Sequence, residues 1–207
     1  MSRLVPTDRP RSRVRSGGRS ERVRRRVADA CLALLAAGDV DLGPSDVARV
    51  SGVSRATVHR WWPTKALLFG AALEAHTADL DTPTSGAWSD DLDRWCDRLA
   101  AFFSDPTEVS LNVVMAGDRH PDFRRAVLDH YQPLFESWRA RIDQARTAGE
   151  IDADIPTDAV LLALVSPFVV VPLLFGTTIP EPTVRDLSRL IGRATGTGGA
   201  HEHATGA

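Results

Sequence analysis

From Glu21 onward, Val23, Val27, Ala30, Cys31 and Leu34 recur at spacings of three and four, the period of a helix with one apolar face. Gly38 follows as the residue that ends it. Gly43-Pro44 opens a second helix, with glycine at the cap and proline at the first position, where a missing N–H costs nothing. Val47, Ala48 and Val50 are its expected buried side, and Ser51-Gly52 breaks it. Ser54 caps a third, short helix that ends at Trp61-Trp62, and Pro63-Thr64 introduces a fourth from Lys65 to about Leu80. Residues 81–88 are rich in Pro, Gly and Ser and read as a linker. Leu92, Trp95, Cys96, Leu99, Phe102 and Phe103 then share one helical face, closed by Asp105-Pro106. A short helix runs from about Glu108 to Ala116. Pro121 starts a long one, striped by Phe123, Val127, Tyr131, Leu134, Trp138, Ile142 and Ala145, bent at Pro133 and stopped by Gly149. Thr157 caps an apolar helix that ends at Phe175-Gly176, and Val184, Leu187, Leu190 and Ile191 mark a last one. Residues 168–175 are β-branched enough for a strand, but a single strand has no partner. The pattern predicts an all-α protein.

Charge divides the chain. With 207 residues, 43% of them apolar and 25% charged, it is large enough to bury a core and should be mostly globular. The formal charge of −2 hides an uneven distribution. Residues 1–79 carry 14 basic and 8 acidic groups, and residues 80–207 carry 11 and 19. Within residues 1–26, ten arginines face only Asp8 and Glu21. Residues 1–19 lack periodicity and read as a mobile basic arm, which points to a polyanionic partner. Residues 195–207, rich in Gly, Thr and His, read as a disordered tail. Cys31 and Cys96 sit far apart in separate helical patterns, so neither a disulfide framework nor a cysteine metal site is expected, and the cytoplasm is the natural compartment. No secretory signal is read at the N-terminus. Residues 159–175 fall at the lower limit for crossing a bilayer and contain Ser166, Pro167 and Pro172, which favours a buried core or interface helix over a membrane span.

The informative stretch is residues 42–68, LGPSDVARVSGVSRATVHRWWPTKALL. Two short helices joined by a tight turn at Ser51-Gly52-Val53 make a helix-turn-helix. Gly52 suits the sharp turn because it tolerates positive φ. Ala48 lets the helices approach, and Val47, Val53 and Val58 supply a shared core. The second helix then offers Arg55, Ala56, Thr57, His59 and Arg60. Small residues that admit a close backbone, with donors for base edges and phosphates, are what a major-groove helix requires.

GVSRATVHRWWPTKALL resembles the DNA-binding signature of the tetracycline-repressor (TetR) family, a V-S-x-G-T-L-Y-x-x-F-x-S-K-like run. Val53, Ser54, Thr57, Arg60, Pro63 and Lys65 fit it directly. Ala56 stands for the usual Gly, Val58 for Leu, His59 for Tyr, Trp62 for Phe and Thr64 for Ser. His59 is the departure that matters, because it shortens a phosphate-contacting arm and ties the contact to pH. The resemblance implies a helix-turn-helix domain over residues 20–66 and a helical effector-binding and dimerisation domain over 67–194, nine helices in all. It also implies contacts to double-stranded, palindromic DNA from Ser45, Ser54, Arg55, Ala56, Thr57, His59, Arg60, Trp61 and Lys65, with Trp62 in the core.

By the same resemblance the protein is a homodimeric repressor, paired through helices at about 157–175 and 182–194. Leu162, Val165, Val169, Leu173, Leu187, Leu190 and Ile191 are its candidate interface residues. The helix at 159–175 is apolar nearly all round, too much so for a lone surface helix. A small, hydrophobic effector among helices four to eight would shift the spacing of the recognition helices, with the fourth helix as lever. Trp95, Phe102, Phe103, Met115, Tyr131, Phe135 and Trp138 are the candidate lining. No cofactor, metal site or catalytic residue is read. His120 with Asp118 and Asp122, and Asp129 with His130, lack the spacing of a site, and His201 and His203 lie in the tail. Two other readings remain: a DNA-binding regulator or DNA organiser without a ligand, and an all-α interaction module whose arm grips anionic membrane or RNA.

Overall fold

The computed structural model describes residues 18–117 and 119–196; residues 1–17 of the arm, Asp118 and residues 197–207 of the tail lie outside them, while Arg19, read as the end of the arm, is helical. The described residues form nine α-helices and no strand: α1 (Arg19–Ala36), α2 (Pro44–Ser51), α3 (Arg55–Trp61), α4 (Lys65–His76), α5 (Trp88–Phe103), α6 (Pro106–Ala116), α7 (Pro121–Thr147), α8 (Thr157–Phe175) and α9 (Glu181–Thr195). The all-α expectation holds, and each helix lies where the apolar period placed one, with differences at the ends of α4 and α6.

Two hydrophobic cores organise the chain. The first joins α1–α4 to α6 and the start of α7, through Val27, Leu35, Val47, Val58, Leu68 and Leu73 with Leu111, Phe123, Val127 and Tyr131. The second joins α5 to the rest of α7 and to α8 and α9, through Trp95, Leu99, Trp138, Ile142, Leu164 and Phe168. The cores therefore divide within α7, not at the end of the helix-turn-helix, and Pro133 lies between Tyr131 of one and Trp138 of the other.

Four readings need correction. Val50 is 45% exposed and not part of the buried side of α2; Val47 and Ala48 alone, with Ser51, face inward. The fourth helix ends at His76, not near Leu80, because the Thr77 amide and hydroxyl both bond to the Leu73 carbonyl and Leu80 closes a separate turn onto Thr77. Thr157 does not cap α8: Pro156 holds the cap position, and the Thr157 hydroxyl bonds Asp143 on α7 instead. Thr195 belongs to the folded body, buried as the last residue of α9, with its carbonyl accepting the Asp152 amide at 2.8 Å.

Candidate nucleic-acid interface

The local chemistry of residues 43–65 sets the geometry of the head. The Asp46 carboxylate accepts the Gly43 amide at 3.0 Å and so closes the start of α2. Gly52 ends α2 at φ 64°, the left-handed conformation that turns the chain sharply toward α3. Ser54 then caps α3: its hydroxyl accepts the Thr57 amide at 3.2 Å and lies 2.8 Å from the Thr57 hydroxyl. Val47, Val53, Val58 and Trp62 are buried beneath, so α3 can turn only one face outward.

That outer face carries the expected set. Ser54, Arg55, Ala56, His59, Arg60 and Lys65 are exposed, and Ser45, Thr57 and Trp61 are half-buried. His59 is braced from two sides: Nε2 accepts from Arg55 Nε at 3.4 Å and lies 3.4 Å from the Ser45 hydroxyl. Trp61 is covered by the Arg24 guanidinium, 5.7 Å from its ring. Lys65, at the first position of α4, is held by Asp41 at 3.1 Å, so a phosphate would have to exchange with that carboxylate.

The structure adds a contribution from α1 that periodicity alone did not disclose. Arg19, Arg22 and Arg26 share a stripe of α1 and line one cleft with Ser54, Thr57 and Arg60. Arg26 is spent internally: its Nη2 donates to the Ser51 carbonyl at the end of α2 and would lie 2.9 Å from a Cβ at position 52. Gly52 is thus required by its φ, and a Cβ there would in addition displace the tip of the Arg26 side chain. Arg19, Arg22 and Arg60 have no carboxylate or carbonyl partner among the described residues, which leaves three fixed cations facing one cleft. Such an array is matched in charge to a phosphodiester backbone.

In the body, the seven candidate lining residues are divided between the cores: Tyr131 and Met115 belong to the first, Trp95, Phe103 and Trp138 to the second, and Phe102 and Phe135 pack against both. Trp88–Trp95, Trp95–Trp138, Phe135–Trp138 and Tyr131–Phe135 stack in series at centroid distances of 6.3, 5.6, 5.4 and 6.0 Å. Phe102 and Phe103 pack edge to face at 5.2 Å, and Met115 is half-buried against the first core. Phe102 also borders a cleft with His76, Leu80 and Arg98. The indole nitrogens of Trp88, Trp95 and Trp138 are buried and have no acceptor among the described residues. On the other side of α8, Leu162 is 66% exposed, with Val170, Leu174 and Phe175 also open, and Leu190 of α9 is 63% exposed. Val165, Val169 and Leu187 are half-buried against the second core, and Leu173 is also half-buried. Ile191 is a correction: at 5% exposure it fills the chain's own core and is not free for an interface.

A bipartite all-α chain with an N-terminal helix-turn-helix is the architecture of a DNA-binding regulator, and the comparisons identify which. Residues 82–191 match the family model described as tetracyclin repressor-like, C-terminal domain. The HTH-type transcriptional regulator AqdR of Rhodococcus erythropolis is 30% identical over 163 residues, covering 76% of this chain and 78% of that protein. The crystal structure of the TetR family transcription regulator SCO0332 is 25% identical, covers 84% of this chain and 99% of its own, and superposes with a TM-score of 0.62. Salmonella enterica GusR shares the fold at 17% identity and a TM-score of 0.65, covering 87% of this chain and 99% of that one. The chain belongs to the TetR family of transcriptional regulators.

Proposed function

We propose that the protein is a homodimeric, cytoplasmic repressor that holds a palindromic operator through two copies of α3 and releases it when a hydrophobic effector binds the body. One observation carries the DNA reading: the exposed donors of α3 stand in one cleft beside Arg19, Arg22 and Arg60, which have no carboxylate or carbonyl partner among the described residues. Arg55 is assigned to base readout, since its fork of donors matches guanine O6 and N7. Thr57 is assigned to a thymine methyl or a phosphate, and Lys65, His59, Arg22 and Arg60 to the backbone. Residues 1–17 of the basic arm, outside the described residues, extend the backbone contact along the duplex.

Pairing is supported by the open apolar face of Leu162, Val170, Leu174, Phe175 and Leu190. One head covers a single half-site, and two-fold pairing supplies the second about 34–36 Å away. Thr157–Phe175 is long and apolar enough to cross a bilayer by length and composition. Its buried side, with Val160, Leu164 and Phe168 in the second core, favours the paired helix. The effector reading is supported by the three acceptorless indole N–H groups, which a ligand with acceptor atoms would satisfy.

The test is selection of a duplex from a randomised pool, followed by the mass of the complex. Two chains per duplex are expected, and replacing Leu162 and Leu174 with Glu should yield a monomer that loses operator affinity. A monomer that binds the selected duplex undiminished would sink the paired arrangement. Failure to select any sequence over bulk DNA would sink the regulator itself.

A further inference from the structure

Glu108 lies in the first turn of α6 and is 1% exposed. Both its oxygens are engaged. Oε1 accepts from Asn112 Nδ2 at 2.9 Å; Oε2 lies 2.9 Å from His76 Nε2 and accepts from the Tyr131 hydroxyl at 3.1 Å. Three helices therefore meet at one carboxylate: α6 supplies Glu108 and Asn112, α7 supplies Tyr131, and α4 supplies His76, its last residue. The His76 ring is itself nearly enclosed, 5.0 Å from that of Phe102 on α5.

A carboxylate taken out of water requires a compensating charge or a proton. The surrounding groups narrow the source. Tyr131 donates a hydrogen bond but keeps its proton, because burial and then Glu108 push its hydroxyl upward. His130 on α7 bonds the Thr77 hydroxyl at 3.3 Å and faces Glu74, and burial pulls it down toward the neutral form. Arg98 on α5 is paired with Asp81. Asp105, before α6, is occupied by the Thr107 and Glu108 amides, and Asp79, in the same cleft as His76, brings further negative charge. Among the described residues that touch Glu108, His76 is the one basic group that can bring it a proton.

We propose that His76 and Glu108 share one proton, and that the protonated pair fixes the last turn of α4 to α6 and α7, which makes Glu108 a positioning residue for DNA binding. The inference rests on the reading of the head as the DNA-binding part and adds to the effector a second input, the proton. When the proton leaves, Glu108 stays buried with an uncompensated charge, and the strain is relieved by parting His76 from α6. The other end of this 12-residue helix is Lys65, on the DNA face, so movement at His76 is delivered to the head. In this proposal the closed pair belongs to the DNA-binding form. By reciprocity, DNA holds the proton on the pair.

The experiment measures affinity of the full-length protein for the duplex selected from a randomised pool, at constant salt, from about pH 6 to about pH 8.5. Wild-type affinity should fall by about fivefold or more toward the alkaline end. Glu108→Gln keeps an acceptor for Tyr131 and needs no proton, so its profile should be flatter than the wild type, with the dependence on salt unchanged. Any slope owed to His59 is common to both proteins and cancels in the ratio. Should Glu108→Gln alone fail to fold, Glu108→Gln combined with His76→Gln, which leaves no titrating group in the pair, carries the same comparison. A variant profile parallel to the wild type overturns the shared proton while leaving DNA binding intact. Failure to select any duplex overturns both.

Discussion

Among the described residues two carboxylates are withdrawn from water, and they are given different partners. Asp91, on α5 in the second core, accepts the Ser85 amide and hydroxyl at Oδ1 and Arg141 Nε, from α7, at 2.7 Å on Oδ2. Burial by itself would raise its pKa, but the Ser85 hydrogen bonds and the Arg141 guanidinium outweigh it and hold the carboxyl below its ordinary value. Glu108, on α6 beside the first core, has a histidine in the place of the arginine. An arginine keeps its charge at every pH the protein meets, and a histidine does not. One burial pattern thus yields a permanent tie inside the body and a conditional one where the body meets the lever of the head. The side chain opposite the carboxylate, more than the depth of burial, decides which.

The permanent tie is the harder to lose. Arg141→Met leaves the buried Asp91 with only the Ser85 hydrogen bonds and the more distant, exposed Arg94 at 3.8 Å, and should cost about 3 kcal/mol, read by chemical denaturation. Because the folded carboxyl of Asp91 sits below its unfolded value, its stabilisation is complete above the unfolded value near 3.8 and disappears as pH falls through the folded one. Asp91→Asn should therefore remove part of the acid-induced loss of stability; an unchanged acid profile would discredit the pair as its source. Gly52→Ala should cost about 1–3 kcal/mol, from φ alone, with the Arg26 contact adding to it. The loss should appear in the head, with operator affinity falling and the near-ultraviolet signal of the Trp95 and Trp138 stack retained. Arg55→Ala should cost about 1–3 kcal/mol per half-site and relax the preference at one base pair. Equal weakening on the matched duplex and a one-base variant would make Arg55 a phosphate contact. The smallest change is expected from Lys65→Ala or Arg22→Gln, each weakening all sequences alike and lowering the salt slope by about one per half-site. For Lys65 the loss is muted because Asp41 already neutralises part of that charge.

The helices, their glycine stops at 38, 52, 149 and 176, and the outward set on α3 were legible because each is written within a few residues of itself. What escaped depends on distant partners. Arg26 reads as one more cation of a basic run until Ser51, 25 positions away, receives it. Glu108 reads as a first-turn acid on a short helix until His76, 32 positions earlier, reaches it. Val50 and Ile191 fit their apolar stripes equally well, yet one is open and the other enclosed, because a stripe defines a face and not what covers it. The end of α4 was missed for a local reason: Thr77 bonds back to Leu73, which a tally of apolar positions does not register.

Pro133 has a mechanical consequence. It has no N–H to offer the Asp129 carbonyl, and its ring crowds that carbonyl, so α7 lacks one rung of its ladder between the two cores. Bending there breaks no hydrogen bond, since none was formed, and Pro133 itself faces solvent, where water can serve the bare carbonyl. The long helix is therefore an articulated strut: stiff from Phe123 to Tyr131, stiff again from Trp138 to Ala145, and compliant at one joint between. Leu134 and Phe135 pack against both cores, so a change of angle at the joint is felt along the stack that runs from Tyr131 through Phe135 to Trp138, and Tyr131, just before the joint, carries it to Glu108.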